Sequence, residues 1–224
     1  MHCICILKIV LLVLQKGVTM QVLKDIDFDN IKQTVYLDHN SPHGGVKLSK
    51  DWVTKSGLGH SESILTPVPD KGLFIYSRFS DIDYVYIRQY IPEVLKYSGK
   101  ELDIEIFVDV LSEAAMYDLY IQARTSDNNL DRVLVADTPQ EPLEKGMHRI
   151  RSTVVVPSLD NIEIDPEERI SFAFRLNGKN EESIAVIIKS ITVLCQLDDD
   201  IEADRYEEVS WIRKLYRKVL RLWK

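Results

Sequence analysis

Tyr84, Tyr86, Arg88 and Tyr90 fall at every second position of one segment, Tyr120, Gln122 and Arg124 do the same in another, and Arg175 and Asn177 in a third. Alternate residues of an extended chain share a face, so each set forms a row on one side of its strand. Such rows can recognise a polyol. A tyrosine ring offers a plane for the C–H face of a pyranose, while guanidinium and amide groups offer donors for adjacent hydroxyls. The paired donors of arginine also suit an acidic sugar or a phosphate. The same residue types also fit an ordinary solvated sheet face. Trp52 is a further aromatic candidate, either as a platform or as part of a core.

The elements that must position these rows read as strands from Gln21 to Leu197, with a period of two throughout. In Leu102 to Val110, the residues Leu102, Ile104, Ile106, Val108 and Val110 alternate with Asp103, Glu105, Phe107 and Asp109. Similar alternation marks Tyr84 to Ile91, Asp118 to Arg124, Ile170 to Leu176 and Ile184 to Cys195, with short apolar runs at Val133 to Val135 and Thr153 to Val156. Turn-forming residues separate them at Ser98 to Lys100, Ser126 to Asn129, Pro157 to Asp160 and Asn177 to Asn180. About ten short strands without an intervening helix predict an all-β, two-layer antiparallel sandwich.

The order of the pieces resembles the jelly-roll, galactose-binding-like family of carbohydrate-binding modules. The resemblance covers about residues 21–197 and rests on degenerate motifs. Leu23 to Asp29 (LKDIDFD) stands where such modules open. Trp52 follows a variable loop, Tyr86-Ile87-Arg88-Gln89 supplies a Gln-containing strand, and Ser98-Gly99-Lys100 leads into the apolar strand at Leu102. Arg151 to Pro157 and Ala185 to Leu194 match the closing strands. The resemblance implies a jelly roll and a glycan ligand. It also implies a structural Ca²⁺ between the first and last strands. Asp29 could serve there, but Lys189 and Ser190 stand where an acid is needed, so no metal or other cofactor is expected.

The last fifteen residues carry six Lys/Arg and no acid on a chain of net charge −7, leaving 22 basic against 35 acidic residues elsewhere, about −13. A body so acidic repels phosphates, which argues against nucleic-acid binding. At helical spacing Ile212, Leu215, Tyr216, Val219, Leu222 and Trp223 share one face of this tail, with Arg213, Lys214, Arg217, Lys218, Arg221 and Lys224 opposite. Acids over 198–208 followed by bases complement a helix dipole, so one amphipathic helix over about 201–223 is expected. Each base near an anionic bilayer contributes about 1 kcal/mol, and Trp211, Tyr216 and Trp223 suit the headgroup region. The expected partner of 209–224 is an anionic membrane surface, or else a partner helix, and a homo-oligomer stays open.

Cys3 to Leu14 is apolar apart from Lys8 but too short to span a bilayer, and translation from Met20 is the favoured reading of residues 1–19. Cys3, Cys5 and Cys195 form no disulfide pattern, and His39 and His43 find no third metal donor in the sequence. No nucleophile elbow, phosphate loop or zinc motif is present. Carboxylate pairs could be drawn from Glu62, Asp81, Asp83, Glu105 or Asp109 only by geometry.

The domain expectation is an N-terminal apolar segment (1–19), a jelly-roll sandwich (20–197) and a helical tail (198–224). The functional expectation is a non-catalytic glycan-recognition module, cytoplasmic and peripheral at the inner membrane surface, accessory to surface polysaccharide synthesis. Its ligand residues are Tyr84, Tyr86, Arg88, Tyr120, Gln122, Arg124, Arg175 and Trp52. The rival reading is a scaffold protein using the sandwich and tail for protein contacts.

Overall fold

The structure, a computed structural model, describes residues 18–38, 41, 45–57, 61–79, 83–91, 94–124, 131–158, 170–178 and 182–197. The expected tail helix with its basic face, the apolar segment at 3–14 and the turn at 126–129 lie outside these residues. Residues 21–195 form one compact unit.

The described chain is all-β. Its strands are β1 (Val18–Gln21), β2 (Val35–Leu37), β3 (Val46–Lys47), β4 (Trp52–Ser56), β5 (Ser61–Val68), β6 (Gly72–Phe79), β7 (Asp83–Tyr90), β8 (Glu101–Arg124), β9 (Asp131–Asp137), β10 (Leu143–Val155), β11 (Ile170–Gly178) and β12 (Ser183–Leu197), with one 3₁₀ turn at Val94–Tyr97. One hydrogen-bonded set, sheet I, runs β2-β5-β6-β12-β8-β10, and the other, sheet II, runs β9-β8-β11-β7-β4-β3. Strand β8 belongs to both. Its first part pairs antiparallel with β10 and β12, and residues 116–124 pair antiparallel with β11 and β9.

The predicted strands at 102–110 and 118–124 are therefore one strand of 24 residues, not two. Its inward set is even-numbered up to Val110 and odd-numbered from Ala115 (Ala115, Tyr117, Leu119, Ile121). Four residues, Leu111 to Ala114, absorb the change of phase and are exposed or half-buried. Because the side-chain period is two, an odd-numbered offset over this irregular stretch exchanges the two faces of the strand as it passes from one sheet to the other. β12 does the same on a smaller scale. A bulge between Ile188 and Ser190 moves its inward set from Ile184, Val186 and Ile188 to Ile191, Val193 and Cys195.

The inward faces supply one core. Phe79 of sheet I lies so close to Gly178 of sheet II that a Cβ on that glycine would stand 2.0 Å from the ring. Three polar residues on inward rows are satisfied rather than misplaced. Gln89 on β7 accepts from Lys24 N (2.6 Å) and donates to Lys24 O (2.7 Å), clipping the segment after β1 to the sheet. Ser63 and Ser77 bond to each other at 2.7 Å. The predicted turn at Ser98 to Lys100 is present, with Gly99 at φ 70° and Lys100 N donating to Tyr97 O.

Candidate functional site

The three Tyr- and Arg-bearing rows are neighbours. In sheet II, β11 lies between β7 and the second part of β8, and the registers align four cross-strand rows on the outward face. These are Tyr84–Asn177–Met116, Tyr86–Arg175–Asp118, Arg88–Ala173–Tyr120 and Tyr90–Ser171–Gln122. β4 extends the second and third rows with Lys55 and Val53.

Asp118 organises the face. Its Oδ2 accepts from Arg175 Nε (2.9 Å) and Nη2 (2.5 Å), from Asn177 Nδ2 (2.8 Å) and from the Tyr120 hydroxyl (2.8 Å). Burial pushes this carboxyl up, and donation from Asn177, Tyr120 and Arg175 overrides it, leaving Asp118 below the usual carboxylate range. The Tyr120 hydroxyl is pushed up to about 12, by burial first and then by its bond to Asp118. Arg175 lies between two rings, its Cζ 4.8 Å from the Tyr84 centroid and 4.6 Å from that of Tyr120. Arg88 lies similarly against Tyr86 and Tyr90, at 5.6 and 5.5 Å. Gly57 lets Tyr84 settle here, since a Cβ on it would stand 2.7 Å from that ring.

The face has a floor and a rim. Tyr86, Arg88, Asp118, Gln122, Ser171 and Ala173 are buried, whereas Tyr84, Tyr90, Tyr120, Asn177 and Arg175 (side chain 29% exposed) remain partly accessible. The sequence placed Tyr86 and Arg88 among open contact groups, and the structure buries both, with the Arg88 guanidinium against the Tyr86 ring. Trp52 requires a firmer correction. It is 0% exposed, on the inward row of β4 with Thr54 and Ser56, its ring 5.1 Å from Phe28 and its Nε1 donating to Asp25 O. It is a core residue. Arg124 pairs with Asp131 at the end of β8, and its side chain lies outside the described set. Asp118, the hub, was absent from the expected site, although its even parity with Tyr120 and Gln122 marks the same row.

Elsewhere polar groups are paired across strands in the open. On the outer face of sheet I, Glu105 accepts from Arg149 (2.7 Å) and Arg151 (3.1 Å), and Thr153 donates to Asp103 (2.8 Å), lining a shallow depression of about 500 Å³. Of the candidate carboxylates, Glu105 is thus held by two arginines and Asp83 accepts from Tyr84 N, on different sheets. Among the described residues no group of three His, Cys, Asp or Glu could hold a metal ion.

No family model and no curated protein matches the sequence. Solved structures similar to the chain include carbohydrate-binding modules with a jelly-roll sandwich fold. One is the family 11 module from Clostridium thermocellum in complex with a β-1,3-1,4-mixed-linked tetrasaccharide, at 14% identity and a TM-score of 0.42, covering 74% of this chain and 97% of that one. Another is the xylan-binding module CBM15, at 13% identity and a TM-score of 0.42, covering 74% and 98%. A Stig cyclase from Fischerella sp. TAU is similar to the same degree, with 14% identity, a TM-score of 0.47, and 81% and 100% covered. At these levels none of them assigns a role to a residue here.

Proposed function

We propose that residues 21–195 form a jelly-roll sandwich that binds a glycan on the outer face of sheet II without catalysing a reaction on it. The observation that supports this is the single polar and aromatic face assembled from β7, β11 and the second part of β8, with tyrosine and amide groups at its rim and one buried carboxylate, Asp118, hydrogen-bonded to three of its side chains. Groups fixed before a ligand arrives lose little entropy on binding. Affinity electrophoresis of the full chain through gels containing individual soluble polysaccharides tests the proposal. Retardation by at least one of them, lost in Tyr84→Ala and Tyr120→Ala, is the expected result. No retardation by any, or retardation that survives both substitutions, rejects it.

The tail belongs to the same reading on sequence grounds. Six bases with Trp211, Tyr216 and Trp223 would hold the chain at an anionic cytoplasmic membrane surface, beside polysaccharide-handling enzymes. Equal co-sedimentation of the full chain and of a chain ending at residue 208 with phosphatidylglycerol vesicles rejects that attachment. A second reading, a scaffold for protein contacts, is favoured by the outer face of sheet I. Tyr36 there is 71% exposed and Met147 55%, with Phe74, Tyr76, Phe107 and Ile187 half-buried.

A further inference from the structure

The candidate face is closed at one end and open at the other. Around the row Tyr90–Ser171–Gln122, the residues Arg88, Ala173, Ser171 and Gln122 are buried. At the opposite end Tyr84, Asn177 and Met116 are all partly exposed, and so are their neighbours Lys55, Arg175 and Tyr120. A ligand therefore meets the face over β11 at Arg175 and Asn177.

The polar atoms of this open end are unequally committed. The Tyr120 hydroxyl donates to Asp118 and is also bonded to the Thr138 side chain. Arg175 gives Nε and Nη2 to the same carboxylate, and Asn177 gives Nδ2. Two fixed atoms are left over, Arg175 Nη1 and Asn177 Oδ1, and neither has a hydrogen-bond partner among the described residues. Lys55 is accessible too, but its charge rides on a flexible stem.

The direction of the Asn177 amide follows from its partner. Asp118, held below the usual carboxylate range, is ionised at neutral pH and can only accept, so Nδ2 faces it and Oδ1 is turned away. That oxygen is not among the buried polar atoms left without a partner, so water reaches it. Arg175 is clamped by Asp118 and by the rings of Tyr84 and Tyr120, which fixes the direction of Nη1 as well. Because both side chains donate to Asp118 Oδ2, the free acceptor and the free donor stand on neighbouring groups. A hydroxyl can donate to the first and accept from the second, whereas a group that only accepts satisfies one of them. An acceptor and a donor set in place beforehand lose little entropy on meeting a polyol.

We propose that a sugar residue binds over this open end, one hydroxyl donating to Asn177 Oδ1 and a neighbouring oxygen accepting from Arg175 Nη1, and that Asn177 is the specificity-determining residue that requires a hydroxyl at that position. This rests on the glycan-binding function proposed for the face. Asp118 is the positioning residue that aims both groups outward.

Calorimetric titration of the full chain with tetrasaccharides of the cello-, xylo-, manno- and galacto-series tests it, followed by the monodeoxy analogues of whichever binds most tightly, in wild type, Asn177→Ala and, on the other sheet, Arg151→Ala. One monodeoxy analogue should bind wild type and Arg151→Ala at least about fivefold more weakly than the parent sugar, the span of one hydrogen bond. Asn177→Ala should bind the parent sugar about as weakly as wild type binds that analogue, and should no longer tell the two apart. A wild type that loses less than this with every monodeoxy analogue overturns the inference, whether or not Asn177→Ala folds, and leaves the glycan reading intact. Asn177→Ala that binds the parent sugar like wild type overturns it in the same way. So does Asn177→Ala that loses affinity yet discriminates every analogue as wild type does, because Asn177 then acts through Asp118 and touches no hydroxyl. A wild type that binds none of the tetrasaccharides overturns the inference together with the glycan-binding function itself.

Discussion

Replacing Asp118 by Ala removes the acceptor shared by four hydrogen bonds from three side chains. Asp118 is 2% exposed, so the loss is felt in a region poor in water. A hydrogen bond to a charged group contributes about 1.5–3 kcal/mol net, but these bonds are not additive, because relief of the carboxylate's own desolvation returns part of the sum. Breaking a buried ion pair from one side costs about 3–5 kcal/mol. Arg175 is partly exposed and keeps its contacts with Tyr84 and Tyr120, which places the cost near the lower end, about 3 kcal/mol. For a domain of this size each kcal/mol lowers Tm by about 2–4 °C. The expected loss is then about 6–12 °C by differential scanning calorimetry at pH 7, with Asp118→Asn, which keeps an acceptor oxygen, between the two. The pH dependence carries a sign. Because the folded-state carboxyl titrates below its unfolded value of about 3.9, its contribution is complete above that value and is lost as pH falls through the folded pKa. Wild type and variant should therefore converge only below about pH 4. A Tm loss under about 2 °C, or convergence already by pH 6, would refute the buried-hub account.

Gln89→Leu should destabilise the domain by about 2–4 kcal/mol, since it strands both the N–H and the carbonyl of Lys24. Hydrogen exchange at the Lys24 amide should accelerate well beyond the change in global stability, and an unchanged local rate would contradict the clip. Asp25 has the opposite linkage. Burial raises its carboxyl against the lowering effect of the Asn30 hydrogen bonds, repulsion from Asp51 and Asp29 adds a smaller push in the same direction as burial, and its Oδ2 is buried and unpaired. The wild type thus loses stability as pH rises from the unfolded value through the raised folded one, and Asp25→Asn should raise Tm at pH 7 with the gain vanishing near pH 4. A gain that does not depend on pH would point to another cause. Gly72→Ala should cost more than about 1 kcal/mol in urea unfolding, because Gly72 has φ 108° and a Cβ there would stand 2.1 Å from the Ile188 carbonyl oxygen. Wild-type stability would show that the bulge after Ile188 yields.

Much of the sheet was legible because alternation is a local signal, and the rows on β7, β8 and β11 could be read two residues at a time. What escaped was set by partners far away in sequence. Tyr86 and Arg88 alternate like open contact groups, but whether they are accessible depends on stacking and on what lies over the sheet. Trp52 shares its row with Thr54 and Ser56, so polarity alone hides that this is the inward row of β4. The bond between Arg175 and Asp118 joins residues 57 apart, and no spacing announces it. The single β8 strand was read as two because the exposed residues Leu111, Glu113 and Ala114 interrupt the pattern where the strand changes sheets. β6 combines an inward Ser77 with outward Phe74 and Tyr76, which blurs the contrast on which a strand assignment depends.

The most direct measurement is a ¹H–¹⁵N NMR titration of the full chain with the soluble uncharged oligosaccharide that retards it most strongly. Saturable shifts are expected on β7, β11 and residues 116–124 of β8, with the Asn177 side-chain amide and the neighbours of Tyr84 and Tyr120 among the largest. Shifts confined to the outer face of sheet I around Phe107, Met147 and Arg149, or no saturable shift at all, would contradict glycan binding at this face.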